Sequence, residues 1–162
     1  MRDFETLWEQ YSADVHRYAF RLCNDPALAE DLTSETFVRL WTGRAPLRPA
    51  TLKAYIFTIT RNLFLTHCRK QGLHTSLDEE PISSDPNQES TLENKQHQQH
   101  IANAWHRLRE TDKTALFLRA EQGLTYEELA VILNLSTTAA KVKVHRARSR
   151  LKSLLANQEV PR

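Results

Sequence analysis

Apolar residues return every three or four positions along most of this 162-residue chain, and its three glycines fall where such runs stop. That spacing lines one face of an α-helix, and no alternating apolar and polar run is long enough for a strand. Gly43, Gly72 and Gly123 each follow an amphipathic segment, the place where helices commonly end. The chain therefore reads as all-α, and its length suits one domain or two small ones.

A change in composition divides it. Residues 74–90, HTSLDEEPISSDPNQES, combine Pro81, Pro86, serines and acids with few large apolar side chains, the makeup of a linker. The expected organisation is two small helical domains, 1–71 and 92–162, joined by a flexible acidic linker over 72–91. Such a tether lets two surfaces reach separated sites, could shield a basic face, and serves equally as a plain solvated spacer. The formal net charge of +2 conceals segregation. Residues 76–94 hold six acids and no Lys or Arg, whereas residues 129–158 hold six Lys or Arg and no acid. The C-terminal surface should attract phosphate.

The segment 123–152, GLTYEELAVILNLSTTAAKVKVHRARSRLK, reads as a helix-turn-helix. Thr125 and Glu128 form a T-x-x-E capping box that starts a helix running to about Leu133. Asn134 tolerates the left-handed conformation a tight turn needs, and Ser136 can cap the longer helix that follows. On that helix Ala140, Val144, Ala147, Leu151 and Leu154 form an inward stripe. Lys141, Val142, His145, Arg146 and Ser149 then face outward, with Arg148 and Lys152 on a flank. Val142 is an apolar side chain among cations, suited to a thymine methyl in a major groove. A basic helix that merely caps a bundle would show the same charge, but not the tight turn and the capped helix before it.

In the first domain Phe4, Leu7, Tyr11, Val15, Tyr18 and Leu22 share one helical face. Asn24 stops that helix, Asp25 caps the next, and Pro26 takes its first position. The second helix turns Leu28, Leu32, Thr36, Phe37 and Leu40 inward, leaving Asp31, Ser34, Glu35, Val38 and Arg39 outside. A loop with two prolines and two arginines follows Gly43, and a third helix runs from about Thr51 to Gln71. It is expected to bury Leu52, Ile56, Ile59 and Leu63 and to present Tyr55, Thr58, Asn62, Thr66 and Arg69. Phe57, Arg61 and Phe64 lie between these faces, and Phe57 and Phe64 are expected in the core. Aromatics interleaved with cations and an amide suit single-stranded bases, which stack on rings while cations follow the backbone.

Catalytic readings find little support. Cys23 and Cys68 sit within helical patterns without metal-ligand spacing, as reduced thiols would. Asp31 and Glu35 share a helix face, yet the Glu-x-x-His partners of a bundle metal site are missing. His97, His100 and His106 lie in a glutamine-rich run that suits a solvated surface. No nucleophile motif, glycine-rich phosphate loop, signal peptide or membrane span is present. The expectation is a soluble, non-enzymatic protein without a cofactor.

Taken in order, AEDLTSETFVRLW, AYIFTITRNLFLTHCRK, the acidic linker and LTYEELAVILNLSTTAAKVKVHRARSRL resemble the extracytoplasmic-function group of sigma factors, the compact bacterial type with only regions two and four. The resemblance runs over nearly the whole chain. It implies a region 2 bundle of three or four helices, a region 4 helix-turn-helix bundle, and an alternative sigma factor that binds core RNA polymerase and directs promoter-specific initiation. Asp31, Thr33, Ser34, Glu35, Val38 and Arg39 match the family's contact with the clamp helices of the largest polymerase subunit, and the flap is a further polymerase contact. Arg44 and Arg48 lie in the loop matching the one that captures a flipped base of the minus-ten element. Tyr55, Arg61, Asn62, Arg69 and Lys70 match the melting surface and its phosphate contacts. Ser136, Thr137, Lys141, Val142, His145 and Arg146 match the minus-thirty-five reading helix, and Arg119 a further DNA contact. The implied partners are core polymerase, promoter DNA and an anti-sigma factor that would cover both domains. The implied location is the bacterial cytoplasm, or the membrane surface by way of that inhibitor.

Three departures stand out. Relatives usually carry glutamine where Ser34 stands and glycine where Asn134 stands, and Thr138, Ala139 and Ala140 replace a glycine followed by small and branched residues. The rival reading is a stand-alone helix-turn-helix regulator, which would bind an operator tightly without polymerase.

Overall fold

The structure is a computed structural model that describes residues 4–43, 52–72 and 92–159, and the regular elements among them are all helical. The first domain contains α1 (Phe4–Cys23), α2 (Pro26–Thr42) and α3 (Leu52–Gln71). In the second, α4 (Leu92–His106) precedes α5 (Glu110–Leu116), which runs straight into a π-helical turn, Phe117–Glu121. The helix-turn-helix is α6 (Tyr126–Leu133) and α7 (Thr137–Glu159). Arg44, Arg48 and the linker residues 73–91 lie outside the described residues.

Local chemistry sets the boundaries. Asn24 takes a left-handed φ of 55° between α1 and α2. The Asp25 carboxylate then accepts from the backbone N–H groups of Ala27 and Leu28 at 3.0 and 3.3 Å, and Pro26 opens α2 without wasting a donor. At α6 the capping box closes in both directions: Thr125 Oγ1 accepts from the Glu128 N–H at 3.0 Å, and Glu128 Oε1 accepts from the Thr125 N–H at 2.8 Å. Asn134 ends α6 in the left-handed region at φ 59°, ψ 49°, and the Ser136 hydroxyl accepts from the Ala139 N–H at 3.0 Å. Ala140, Val144 and Ala147 are buried on α7, with Leu151 and Leu154 packed beside them. The turn is therefore fixed by side chains at both ends.

The first core gathers Leu7, Val15, Tyr18, Leu22, Phe37, Ile56 and Phe57, with Phe64 buried as expected. The inward faces differ from the sequence reading at their edges. On α3, Ala54, Thr60 and Cys68 are buried, while Leu52, Ile59 and Leu63 are only half-buried. On α2, Ala29 and Thr33 are buried, while Leu28 and Leu40 are half-buried. Small residues let the helices approach closely. Thr36 and Thr60 meet inside the core at 3.0 Å, each hydroxyl also within reach of its own helix at Leu32 O and Ile56 O. Phe4 stays exposed at the end of α1.

The two domains share one core. Tyr18 of α1 stacks on Phe117 of the π turn with ring centroids 5.4 Å apart, and Phe57 of α3 meets both rings edge-on at 5.5 and 6.4 Å. All three rings are buried. Polar contacts surround them. Lys53 Nζ donates to Gln122 O at 2.9 Å, Trp105 Nε1 donates to Arg21 O at 3.0 Å, and Arg21 also reaches Glu121 at 3.4 Å.

Asn134 offers a direct test of the turn. Asn134→Gly should leave stability within a few tenths of a kcal/mol, whereas Asn134→Val should cost about 1–2 kcal/mol because a branched side chain strains the left-handed region. Urea unfolding monitored by circular dichroism measures both.

Candidate nucleic-acid interface

Helix α7 is held from behind and open in front. Its inner side packs on α4, α5 and α6. Asp112 of α5, with its side chain 4% exposed, binds Lys143 Nζ at 2.7 Å and lies 3.6 Å from Arg150 Nε. Lys143 is thus committed to holding the helix. Lys141, Val142, His145 and Arg146 are all exposed, and Ser136 and Thr137 are exposed at its start. The face set apart by the helical pattern is assembled within the chain itself, and its exposed cations give it a positive potential.

Arg119 is placed differently from an open DNA contact. Its guanidinium sits 4.2 Å from the Tyr126 ring centroid, and Nη1 donates to Leu124 O at 2.9 Å. These contacts clamp the loop between the π turn and α6. The residue is half-buried rather than open to solvent.

The residues of α3 expected to meet a single strand also divide. Asn62, Arg69 and Lys70 are exposed and Tyr55 is half-buried. Arg61 is engaged across the domain seam: Nε and Nη2 donate to the two Glu110 carboxylate oxygens at 2.6 and 3.0 Å, and Nη1 donates to Ile132 O at 3.1 Å. Burial opposes its charge, but the hydrogen bonds and attraction from Glu110 prevail and raise its pKa above the usual arginine value. Glu110 also accepts from the Thr114 hydroxyl at 2.8 Å, and Thr114 meets the buried Tyr18 hydroxyl at 2.7 Å. No local pattern marked Glu110, Thr114 or Lys53, because their partners lie 49 to 96 residues away in sequence.

On α2, Asp31, Ser34, Glu35, Val38 and Arg39 are exposed. Thr33 departs from that outward set: it is 5% exposed and its hydroxyl donates to Ala29 O at 2.7 Å. Glu35 and Arg39 face each other at 3.3 Å across one turn, an exposed pair that contributes little stability. Beside them lies an aromatic patch that the helical pattern did not single out. Trp41 is 58% and Trp8 38% exposed, and the Phe4 ring meets both, edge-on to Trp41 at 5.7 Å and stacked on Trp8 at 6.2 Å.

Of the histidines in the glutamine-rich run, His106 faces the seam. Burial, then the positive charges of Lys113 and Arg21, hold its imidazole neutral and lower its pKa to about 4. Lys113 Nζ lies 3.4 Å from its Nδ1. Burial likewise pushes the Cys23 thiol up to about 11, and Cys68 is buried outright. Neither cysteine forms a disulfide, and both thiols are unreactive by environment. Among the described residues no helix is long and apolar enough to cross a membrane.

Residues 7–73 match the Sigma-70 region 2 family, and residues 99–151 match the Sigma-70, region 4 family. The ECF RNA polymerase sigma factor SigE of Mycolicibacterium smegmatis is 31% identical over 96% of this chain, which spans 63% of that relative's length. The ECF RNA polymerase sigma factor EcfG of Rhodopseudomonas palustris is 31% identical over 87% of this chain and 78% of its own. A solved structure of the sigma factor RpoE from Bartonella quintana, in complex with the anti-sigma factor NepR, superposes with a TM-score of 0.74 at 26% identity. That alignment covers 96% of this chain and 98% of RpoE. The protein is a two-domain member of the sigma-70 family, built from regions 2 and 4. Within that family it belongs to the extracytoplasmic-function group of RNA polymerase sigma factors.

The position of His106 sets a pH dependence. A histidine whose folded pKa lies below its unfolded value of about 6.5 leaves the unfolded chain binding more protons, so stability should fall as the pH drops from about 6.5 toward 4. His106→Gln should flatten that part of the profile. Thermal unfolding of both proteins across the range checks it.

Proposed function

We propose that this chain is a dissociable initiation subunit whose α2 surface docks on core RNA polymerase while α7 reads the duplex upstream of the start site. The exposed row Lys141, Val142, His145 and Arg146 on a helix rigidly backed by Asp112 is the observation that carries the reading. Cations there bind backbone phosphate, and Lys141 and Arg146 can reach guanine edges while Val142 offers an apolar contact to a thymine methyl. Ser136 and Thr137 add hydroxyls beside the start of α7, where the helix dipole favours a phosphate.

The polymerase-facing set is Asp31, Ser34, Glu35, Val38 and Arg39, with Thr33 supporting the helix from within. Mixed charges around an apolar centre suit a reversible contact with another helical surface, and the neighbouring Trp41 enlarges that centre. The clamp helices of the largest subunit are the proposed partner here, and the flap is proposed for the second domain. Tyr55, Asn62, Arg69 and Lys70, with Arg61 and the loop residues Arg44 and Arg48, form the proposed surface for the melted minus-ten strand. Arg119 acts in this reading by fixing the loop before α6.

The RpoE neighbour, solved with NepR, supports an anti-sigma factor as the third partner. Work in the cytoplasm, with membrane recruitment only through such an inhibitor, follows from the same reading, as does a role in binding rather than catalysis. The proposed functional division is region 2 over 1–71, a linker over 72–91 and region 4 over 92–162.

Transcription from a promoter library with purified core polymerase tests the function directly. The full chain should select a two-element promoter set, and labelled promoter should be bound far better with core than without it. Tight binding by the chain alone, unaffected by core, would instead identify a free-standing regulator. Lys141→Ala and Arg146→Ala should each weaken upstream recognition by about 1–3 kcal/mol for every base edge no longer read. Glu35→Lys should lower core affinity in a co-elution assay while leaving α7 binding to duplex unchanged.

A further inference from the structure

A cleft of about 470 Å³ lies between α1 and α2, and it shares Ser34 with the face proposed to meet polymerase. Phe4 and Trp8 meet Phe37 and Trp41 at one end, so the two helices run antiparallel. Four-residue spacing lines the walls, with Trp8, Ser12 and His16 on α1 facing Glu30 and Ser34 on α2. Thr33 closes the floor, buried and bonded to Ala29 O. The side chains of Ser12, His16, Glu30 and Ser34 have no hydrogen-bond or ion-pair partner among the described residues. No lysine or arginine lines the cleft. Elsewhere on the two helices Glu5, Glu9 and Asp31 are exposed, whereas Arg17, Arg21 and Arg39 are already paired with Asp14, Glu121 and Glu35. The cations are spent within the chain, and the cleft is left acidic.

We propose that this cleft is a socket for one basic side chain of core polymerase, filled as α2 docks. The proposal rests on the docking role given to α2 and extends that contact to Trp8, Ser12 and Glu30. Glu30 takes the charge, the Ser12 and Ser34 hydroxyls accept from the incoming N–H groups, and the aliphatic stem lies along the Trp8 indole. An acidic group would be repelled by Glu30, and an apolar one would bury that carboxylate without a partner. A cation avoids both costs. Space is the other requirement. Ser34 reaches only a hydroxymethyl group into the cleft, so a long side chain there would occupy the volume that the incoming stem needs.

Two variants of the full chain test the socket against purified core polymerase in a binding titration. Ser34→Gln fills the cleft, and Glu30→Gln removes its charge while keeping its shape. Both residues are exposed, so both variants should melt at the wild-type temperature. Each should bind core about tenfold or more weakly, and Ser34→Ala, which keeps the space, should lose far less than Ser34→Gln. Added salt should weaken the wild type more steeply than Glu30→Gln. Wild-type core affinity in either glutamine variant would overturn the proposal, as would an affinity loss matched by a loss of thermal stability. A wild type that pairs with a second copy in sedimentation, and is made monomeric by Ser34→Gln with core affinity intact, would give the cleft to self-association and overturn it too. The proposed function fails by a different sign, a wild type that does not bind core at all. Weak core binding by Glu35→Lys beside normal binding by both glutamine variants would keep that function and remove only the socket.

Discussion

The Glu110 carboxylate joins the two halves of this molecule. Its side chain is 5% exposed, and both oxygens are occupied by Arg61 and Thr114. Neither ion could be buried alone. Removing one partner from a buried pair commonly costs about 3–5 kcal/mol, although the intact pair adds little net stability over apolar residues of the same shape. What the pair supplies is registry: the fork of the guanidinium matches one carboxylate in one orientation. The surrounding rings supply the attraction. Tyr18, Phe57 and Phe117 are buried together, and burial holds the Tyr18 hydroxyl protonated well above the usual range, so it pairs with Thr114 as a neutral group.

Helix α5 performs two tasks because its acids point in different directions. Glu110 and Asp112 are two residues apart, about 200° around a helix, so they cannot serve the same neighbour. Glu110 turns to α3, and Asp112 turns to Lys143 and Arg150 of α7. One seven-residue helix thus bonds both to α3, the proposed strand-binding helix, and to α7, the proposed duplex-reading helix. The π turn continues this role, since Lys53 takes the Gln122 carbonyl beyond it and Arg119 bridges its end to the loop before α6. Departures from α-helical pitch tend to occur at such functional junctions.

Much of this was written locally in the sequence. The capping box at Thr125 and Glu128, the left-handed Asn134, the Asp25–Pro26 start of α2 and the inward stripe of α7 each depend on residues within a few positions of one another. Such patterns survive folding because tertiary context has little to change. The exposed set on α7 follows for the same reason. Residues on α3 behaved otherwise. Periodicity assigned Leu52, Ile59 and Leu63 to the core, but α3 is packed between α1, α2 and α6, and the small Ala54 and Thr60 face the closest neighbours. Arg61 lies between the two faces of the α3 wheel, and the family resemblance alone places Thr33 outward. Their hydrogen bonds settle both, and Arg61 finds its partner 49 residues away, beyond the reach of a local pattern.

Closure of this kind is suited to reversal. The polar groups at the seam are charged or strongly hydrogen-bonding, and each regains water when the domains part, so breaking the Arg61–Glu110 and Lys53–Gln122 hydrogen bonds is largely offset by hydration. The apolar surface that water cannot compensate includes the faces of Tyr18, Phe57 and Phe117, which belong to the core shared by both domains. The shared apolar core favours the closed form, and the buried ion pair fixes its registry. On α7 the stripe of Ala140, Val144 and Ala147 and the tie from Lys143 to Asp112 anchor the helix to the second domain, with Ala140 and Val144 reaching the core that both domains share.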